Sequence, residues 1–396
     1  MKKNFLFTSE SVAEGHPDRL SDMISDAVVD RFMQQDPYSR IVTECALSKG
    51  VVFMAARFAS QANVDLPEVA RSVIGTAGYR PDDFDAADCT VVTSLITMPM
   101  EQRFQADELE ISDAEIDQLA VKNQATLFGY ACNQTPELMP LPIMLANRLA
   151  RELSAVRRQR SIPCLSPDCT VQVGVEYENS KPVRIHGVTL IAGCQGKQKV
   201  DPVQLREALI QHVVEPVFAD EPLRPDDATE IFVNPRGAFP KSGPASHSGM
   251  TGRKSAADTY GGYARHSGSA LSGKDPSRID RTGVYAARYA AKNIVAAGLA
   301  EECEVQLSYS IGYAAPVSIQ VQTFGTGRVS EAVLKKRLEE HFDFRLGALI
   351  RDFNLRHLAT EYGDGFYGKL PNHGHFANDL MVLPWEVTDK TELLKD

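Results

Sequence analysis

Arg40-Ile41-Val42-Thr43-Glu44-Cys45-Ala46-Leu47 is largely apolar and β-branched, breaks at Ser48-Lys49-Gly50, and resumes as Val51-Val52-Phe53-Met54-Ala55-Ala56-Arg57-Phe58. Two such runs joined by a short link containing glycine read as a β-hairpin. A helix precedes the hairpin. From Pro17 onward, Leu20, Met23, Ile24, Ala27 and Val28 recur at helical spacing, and the run closes before Asp36-Pro37. Another helix starts near Asp65, with Pro67 in its first turn. The order helix, strand, turn, strand, helix then returns twice. The second copy has a helix over 141–158, strands over 169–177 and 183–194, and a helix opened by Asp201-Pro202 as cap and first residue. The third has a helix over 277–297, strands over 302–312 and 316–324, and a closing helix marked by Ser330 and the Val333, Leu334, Leu338 stripe. The hairpins begin at 40, 169 and 302, so the spacings are 129 and 133 residues. Equal order at equal spacing predicts an α+β fold of three similar units, each a hairpin-containing sheet with helices on one face. The expected segments are 1–101, a connector over 102–127, 128–232 and 233–396. The connector carries a capping box, Ser112-Asp113-Ala114-Glu115, and so one short helix. The stretch 363–384, rich in Gly, Pro, Asn and His, reads as a surface loop.

The chain has 396 residues, 43% hydrophobic and 24% charged. That composition excludes disorder, collagen and coiled coil as the main state. A net charge of −10 argues against broad binding to nucleic acid or anionic membranes. The seven cysteines are odd in number and form no CxxC, so reduced thiols are expected rather than a disulfide framework. The apolar patch at residues 5–7 is too short for a signal peptide. No run approaches the ~18 apolar residues of a membrane span. The expected location is cytoplasmic.

Residues 251–290 depart from this acidic average. Seven Lys and Arg against three Asp give a local +4, and the stretch holds Gly252, Gly261, Gly262, Gly268, Gly273 and Gly283. Glycine lets backbone N–H groups approach an anion, and cations neutralise it. Ser272-Gly273-Lys274-Asp275-Pro276-Ser277 leads into a helix N-terminus, which adds positive potential. These features point to a polyphosphate site, although GxxxxGK[ST] is absent. At the other end, His16 and Asp18 stand at a helix start. Asp18 reads as an Mg²⁺ ligand or as the helix cap, and His16 as a phosphate contact or an acid. Asp280 is a second candidate ligand. Glu44, in an apolar strand, calls for a cation, and Arg57 on the neighbouring strand offers a cross-strand ion pair.

Together these segments resemble the S-adenosylmethionine synthetase (methionine adenosyltransferase) family. The matching runs are Leu6-Phe7-Thr8-Ser9-Glu10-Ser11-Val12 with Glu14-Gly15-His16-Pro17-Asp18; Phe128-Gly129-Tyr130-Ala131; Gly249-Met250-Thr251-Gly252-Arg253-Lys254; Asp258-Thr259-Tyr260-Gly261-Gly262; Ser272-Gly273-Lys274-Asp275-Pro276-Ser277; and Ala291-Lys292-Asn293-Ile294-Val295-Ala296-Ala297-Gly298-Leu299. The resemblance implies three subdomains with pseudo-threefold symmetry and a homodimer, often paired into a tetramer, with active sites between subunits. It implies attack of the methionine sulfur on C5′ of ATP, then cleavage of the released tripolyphosphate to phosphate and diphosphate, with Mg²⁺ and K⁺ as the usual ions. By resemblance His16 contacts the triphosphate, with His16, Lys274 and Arg253 as the catalytic set. Asp168, Phe239, Lys254 and Ala270 complete the ATP contacts. Asp18 and Asp280 hold Mg²⁺, and Glu44 matches the K⁺ ligand.

The departures gather where the family reads methionine. Arg57 stands for a family glutamate, Met98 for a glutamine, His247 for an aspartate, Arg278 for a lysine and Asn123 for an aspartate. On the nucleotide side Thr170 replaces a phosphate-facing lysine, with Arg236 nearby. The sequence therefore leaves three expectations: an adenosyltransferase acting on methionine, one acting on a thioether acid that lacks the amino group, or a weakly active subunit that modulates an active homologue.

Overall fold

The computed structural model describes residues 4–195, 200–237, 241–378 and 381–395. Its strands are β1 (Phe5–Val12), β2 (Arg40–Ser48), β3 (Val51–Ala59), β4 (Thr90–Thr97), β5 (Ala125–Cys132), β6 (Leu165–Glu178), β7 (Lys181–Cys194), β8 (Glu230–Val233), β9 (Gly249–Met250), β10 (Glu302–Tyr309) and β11 (Ser318–Gln322). They form three sheets, ordered β4-β3-β2-β9, β1-β6-β7-β8 and β11-β10-β5. Each sheet is built on one expected hairpin: β2-β3, β6-β7 and β10-β11, all antiparallel. Long helices cover them. Pro17–Gln35 lies on β2, Leu141–Arg158 on β6 and β1, and Ile279–Ala296 on β5 and β10. The shorter helices Leu66–Ala77, Pro202–Leu209 and Glu331–His341 begin at Asp65, Asp201 and Ser330, whose side chains each accept a first-turn N–H.

The sheets borrow strands from one another's segments. β1 pairs with β6, β9 with β2, and β5 with β10. The polypeptide is therefore interlaced, and each hairpin finishes its sheet with a strand distant in sequence. The helix Ile279–Ala296 sits directly on β5 at Gly129, where an added Cβ would fall 1.9 Å from the Ala287 carbonyl carbon.

A column of aspartates ties the first helix to the rest. Asp18, Asp22, Asp26 and Asp30 recur every four residues, so they share one face of the Pro17–Gln35 helix. Asp18 accepts the Met250 N–H (3.1 Å), Asp22 that of Gly252 (2.7 Å) and Asp26 that of Gly273 (2.8 Å). Asp30 accepts three, from Phe366, Tyr367 and Gly368. Asp26 also holds Arg281 in a two-pronged pair at 2.8 and 2.7 Å, both side chains almost fully buried. Four like charges at this spacing repel in isolation. Here each is met by backbone N–H groups or by an arginine.

Three expectations need correction. The stretch 363–384 is not a surface loop. Phe366, Tyr367, Leu370, Phe376 and Leu383 are buried, because Asp30 satisfies the irregular backbone at 366–368 that would otherwise need water. Asp18 is not the helix cap. His16 is, its Nδ1 accepting the Asp18 N–H at 3.2 Å. Glu44 and Arg57 are not cross-strand partners. The register sets Glu44 opposite Ala55 and Arg57 opposite Val42.

Gly129→Ala forces helix and strand apart and is expected to lower stability by about 2 kcal/mol or more. Denaturant midpoints compared with wild type at unchanged m-value test this. An unchanged midpoint would contradict the packing.

Candidate functional site

The N-terminal end of the Pro17–Gln35 helix gathers one group of side chains. His16 is buried at the cap position, and the Asp18 carboxylate lies in the first turn. Arg253 approaches Asp18 at 3.5 Å and Lys254 at 3.8 Å, and Lys254 also reaches Glu10 at 3.5 Å. Both cations follow the Met250 and Gly252 N–H groups that the aspartate column fixes. Asp168, near the start of β6, accepts the Gly243 N–H at 2.6 Å and pairs with His247 Nε2 at 2.9 Å. The His247 ring lies edge-on to His16, centroids 5.1 Å apart. Ligand atoms of His16, Asp168 and His247 all fall within 4.8 Å of one another. Burial lowers the His16 pKa to about 4, against the partial opposition of Asp168, so its imidazole is neutral at pH 7. The hydrogen bond to Asp168 raises that of His247.

A second group lies two turns along the same helix. Gly273, tied to Asp26, also accepts the Thr43 N–H on its carbonyl at 2.8 Å, which lays Lys274 beside β2. Gly273 has φ of +78°, and a Cβ there would strike the Thr43 carbonyl, so the turn demands glycine. Lys274 Nζ donates to the Ala270 carbonyl at 2.6 Å and stands 3.7 Å from Asp280. Burial lowers the Lys274 pKa, and Asp280 and Glu44 act against that shift. Ala270 rests against Gly252. Asn123 donates to Asp280 Oδ2 at 2.9 Å.

Beyond Asn123 opens a cavity of about 380 Å³ whose lining includes Arg40, Val42, Arg57, Met98, Lys122, Asn123, Asp275 and Arg278. Four of the five residues read as acceptor contacts, Arg57, Met98, Asn123 and Arg278, meet here. The fifth, His247, does not; it belongs to the His16 group. Arg57 donates to Met98 Sδ at 3.8 Å. The Asp275 carboxylate is taken up by the N–H groups of Ile41 and Ser277. Three buried polar atoms on this wall, Arg40 Nε, Arg278 Nε and Asn123 Oδ1, lack a hydrogen-bond partner among the described residues. Beside a cavity, water or a polar ligand can satisfy such atoms.

The other expected residues fall as follows. Glu44 is on the exposed face of β2, Thr170 is in β6 opposite Val12, and Arg236 is exposed. Phe239 lies outside the described residues. The aspartate column escaped the sequence reading, although four aspartates at four-residue spacing in a helix that buries its apolar face were a visible signal.

Comparison with known proteins agrees with this architecture. Residues 4–99, 118–239 and 241–387 match the N-terminal, central and C-terminal domains of S-adenosylmethionine synthetase. The chain is 45% identical to a protein named S-adenosylmethionine synthase from Gloeothece citriformis (strain PCC 7424), over 100% of this chain and 98% of the relative. It is 45% identical to one from Synechococcus elongatus, over 100% and 98%, and 46% identical to one from Thermosynechococcus vestitus, over 98% and 96%. The chain belongs to the S-adenosylmethionine synthetase family. No helix among the described residues is long and apolar enough to cross a membrane.

The His16 environment makes a pH prediction. Its folded pKa, about 4, lies below the unfolded 6.5. The unfolded chain therefore binds the extra proton first, and stability falls as pH drops from about 6.5 toward 4. His16→Asn keeps a cap acceptor and removes this titration, so between pH 6.5 and 5 the variant should lose less stability than wild type. Parallel pH profiles of the two denaturation midpoints would contradict the assignment.

Proposed function

We propose that this protein is a methionine adenosyltransferase. The methionine sulfur attacks C5′ of ATP, S-adenosylmethionine forms, and the departing tripolyphosphate is cleaved to phosphate and diphosphate. The observation that carries the choice of acceptor is the trio of orphaned atoms in the 380 Å³ cavity. Two arginine donors, at Arg40 and Arg278, suit a carboxylate. One amide acceptor, at Asn123, suits an ammonium. An amino acid carries both.

The sulfur of a thioether is already nucleophilic, so the reaction needs no general base. The barrier lies in the negative charge growing on the leaving triphosphate. Arg253, Lys254 and Lys274 are placed to meet that charge in a partly dehydrated site, where fixed cations act most strongly. Neutral His16 offers a hydrogen bond to a phosphate oxygen, and Asp168 is assigned to the nucleoside. Asp18 and Asp280 offer hard carboxylate oxygens, the donor chemistry that Mg²⁺ takes, and Glu44 offers the same to K⁺. Bound Mg²⁺ supplies further charge neutralisation at the triphosphate.

The site is assigned to a homo-oligomer. Asp18 and Asp26 are eight residues apart on one helix, about 12 Å along its axis, and Asp280 stands beside the Asp26 group. One chain thus keeps its two metal carboxylates in separate groups, and a second copy supplies the complement. The outer face of the β4-β3-β2-β9 sheet suits that copy. Met250, Ala46, Phe53 and Val92 align across its four strands, and Phe53, Val92, Met250 and Ile96 are exposed. The working location is the cytoplasm.

Arg40, Arg57, Lys122 and Arg278 line the cavity with Asp275, the observation behind a second reading that the named relatives do not favour: an acceptor that keeps the carboxylate but lacks the ammonium, such as the 2-oxo acid of methionine. Mass spectrometry of reactions with ATP, Mg²⁺, K⁺ and each acceptor separates the two. A sulfonium adduct with methionine at the higher kcat/KM supports the proposal, and an adduct with the oxo acid alone supports the second reading. Asn123→Leu should raise KM for methionine about tenfold, the loss of one hydrogen bond to a charged group, and leave that for the oxo acid little changed. Equal rises would remove Asn123 from ammonium binding.

A further inference from the structure

Cys164 and Cys194 face each other where β6 begins and β7 ends. Their sulfurs are 3.5 Å apart, and Gln195 N–H donates to the Cys164 carbonyl at 2.7 Å, which fixes the two backbones side by side. A disulfide needs the sulfurs at about 2.05 Å, so the pair must close by about 1.5 Å, a movement shared by side-chain rotation and a shift of the two backbones. Cys194 is buried, and Cys164 is partly open to solvent. The five other cysteines are buried, so Cys164 is the most accessible thiol in the chain.

The pair shares one labile proton. The Cys194 thiol stabilises a Cys164 thiolate, lowering the Cys164 pKa to about 7, with Arg80 adding to the effect. Cys194 correspondingly keeps its proton. Near neutral pH Cys164 is thus a nucleophile with a resolving thiol beside it.

We propose that Cys164 and Cys194 form a reversible disulfide on exposure to hydroperoxides, and that this modification weakens nucleotide binding. The Cys164 thiolate attacks the peroxide oxygen, the O–O bond breaks, and the alcohol or water leaves with the added proton, giving Cys164 sulfenic acid. Cys194 sulfur then attacks that sulfur and water leaves. Two thiols are oxidised by two electrons, and the hydroperoxide is reduced by two. A dithiol reverses the change.

The consequence for the nucleotide follows from the neighbours. Cys164 is two residues before Ser166, whose hydroxyl pairs with that of Ser242 and accepts the Asp168 N–H. Gly193, next to Cys194, is packed so tightly on Ser166 and Ser242 that a Cβ there would lie 2.8 and 2.7 Å from their Cβ atoms. Pulling the two sulfurs together drags both sides of the Asp168 turn. This second half of the proposal rests on Asp168 as a nucleoside contact.

The test treats the full-length protein with hydrogen peroxide, maps its peptides without reduction, and measures KM for ATP before and after dithiothreitol. The expected result is a 164–194 linked peptide, a free-thiol count that falls by two from seven, and a severalfold rise in KM for ATP that dithiothreitol reverses. Cys164→Ser and, independently, Cys194→Ser should keep basal activity and resist the change. Absence of the linked peptide would overturn the modification site. A linked peptide with unchanged KM for ATP would overturn its effect on the nucleotide. If the reduced protein makes no adenosyl product, the adenosyltransferase reading fails, and peptide mapping still decides the disulfide.

Discussion

Asp18, Asp22, Asp26 and Asp30 form a column on a single helix that anchors distant segments of the chain. Each carboxylate fixes a loop that arrives more than two hundred residues later in the chain: 250, 252, 273 and 366–368. The Asp26–Arg281 pair is the most deeply buried link, and it joins the first and third long helices. Removing one partner would leave an uncompensated buried charge, which costs several kcal/mol. The same contacts aim Arg253, Lys254 and Lys274. Stability and cation placement are therefore one construction, and the basic stretch 251–290 follows the acidic face that receives it.

Much of the fold was legible because the signals were local. Hydrophobic periodicity gave the long helices, and glycine-containing links gave the hairpins at 40–58, 169–194 and 302–324. The strands that complete each sheet were not. β9 is two residues long, β5 hides among motif residues, and β4 pairs in parallel with β3, so their partners are fixed by tertiary contact. The end of the chain misled because Gly, Pro and Asn normally mark surface turns. Here their backbone groups are satisfied from within by Asp30.

The candidate site was legible residue by residue and less so in its grouping. Arg57, Met98, Asn123 and Arg278 lie far apart in sequence and share one cavity. His247, read with them, instead partners Asp168 beside His16. The difference matters for charge. His247 adds a titratable ring beside Asp168 and His16, while the cavity keeps an unpartnered amide oxygen at Asn123. Nothing in sequence spacing separates the two groups, since the residues of each are scattered along the chain and only tertiary contact brings them together.

We propose that the Asp18 and Asp280 groups, apart in one chain, complete each other across a subunit boundary. Mixing two inactive variants tests it most directly. Asp18→Asn and Asp280→Asn are each expected to abolish adenosyl transfer from ATP. Co-expressed and assembled at random, half of the dimers are mixed, and each mixed dimer holds one site with both carboxylates intact, so about a quarter of wild-type activity should return. A co-expressed mixture as inactive as its parents would contradict the account.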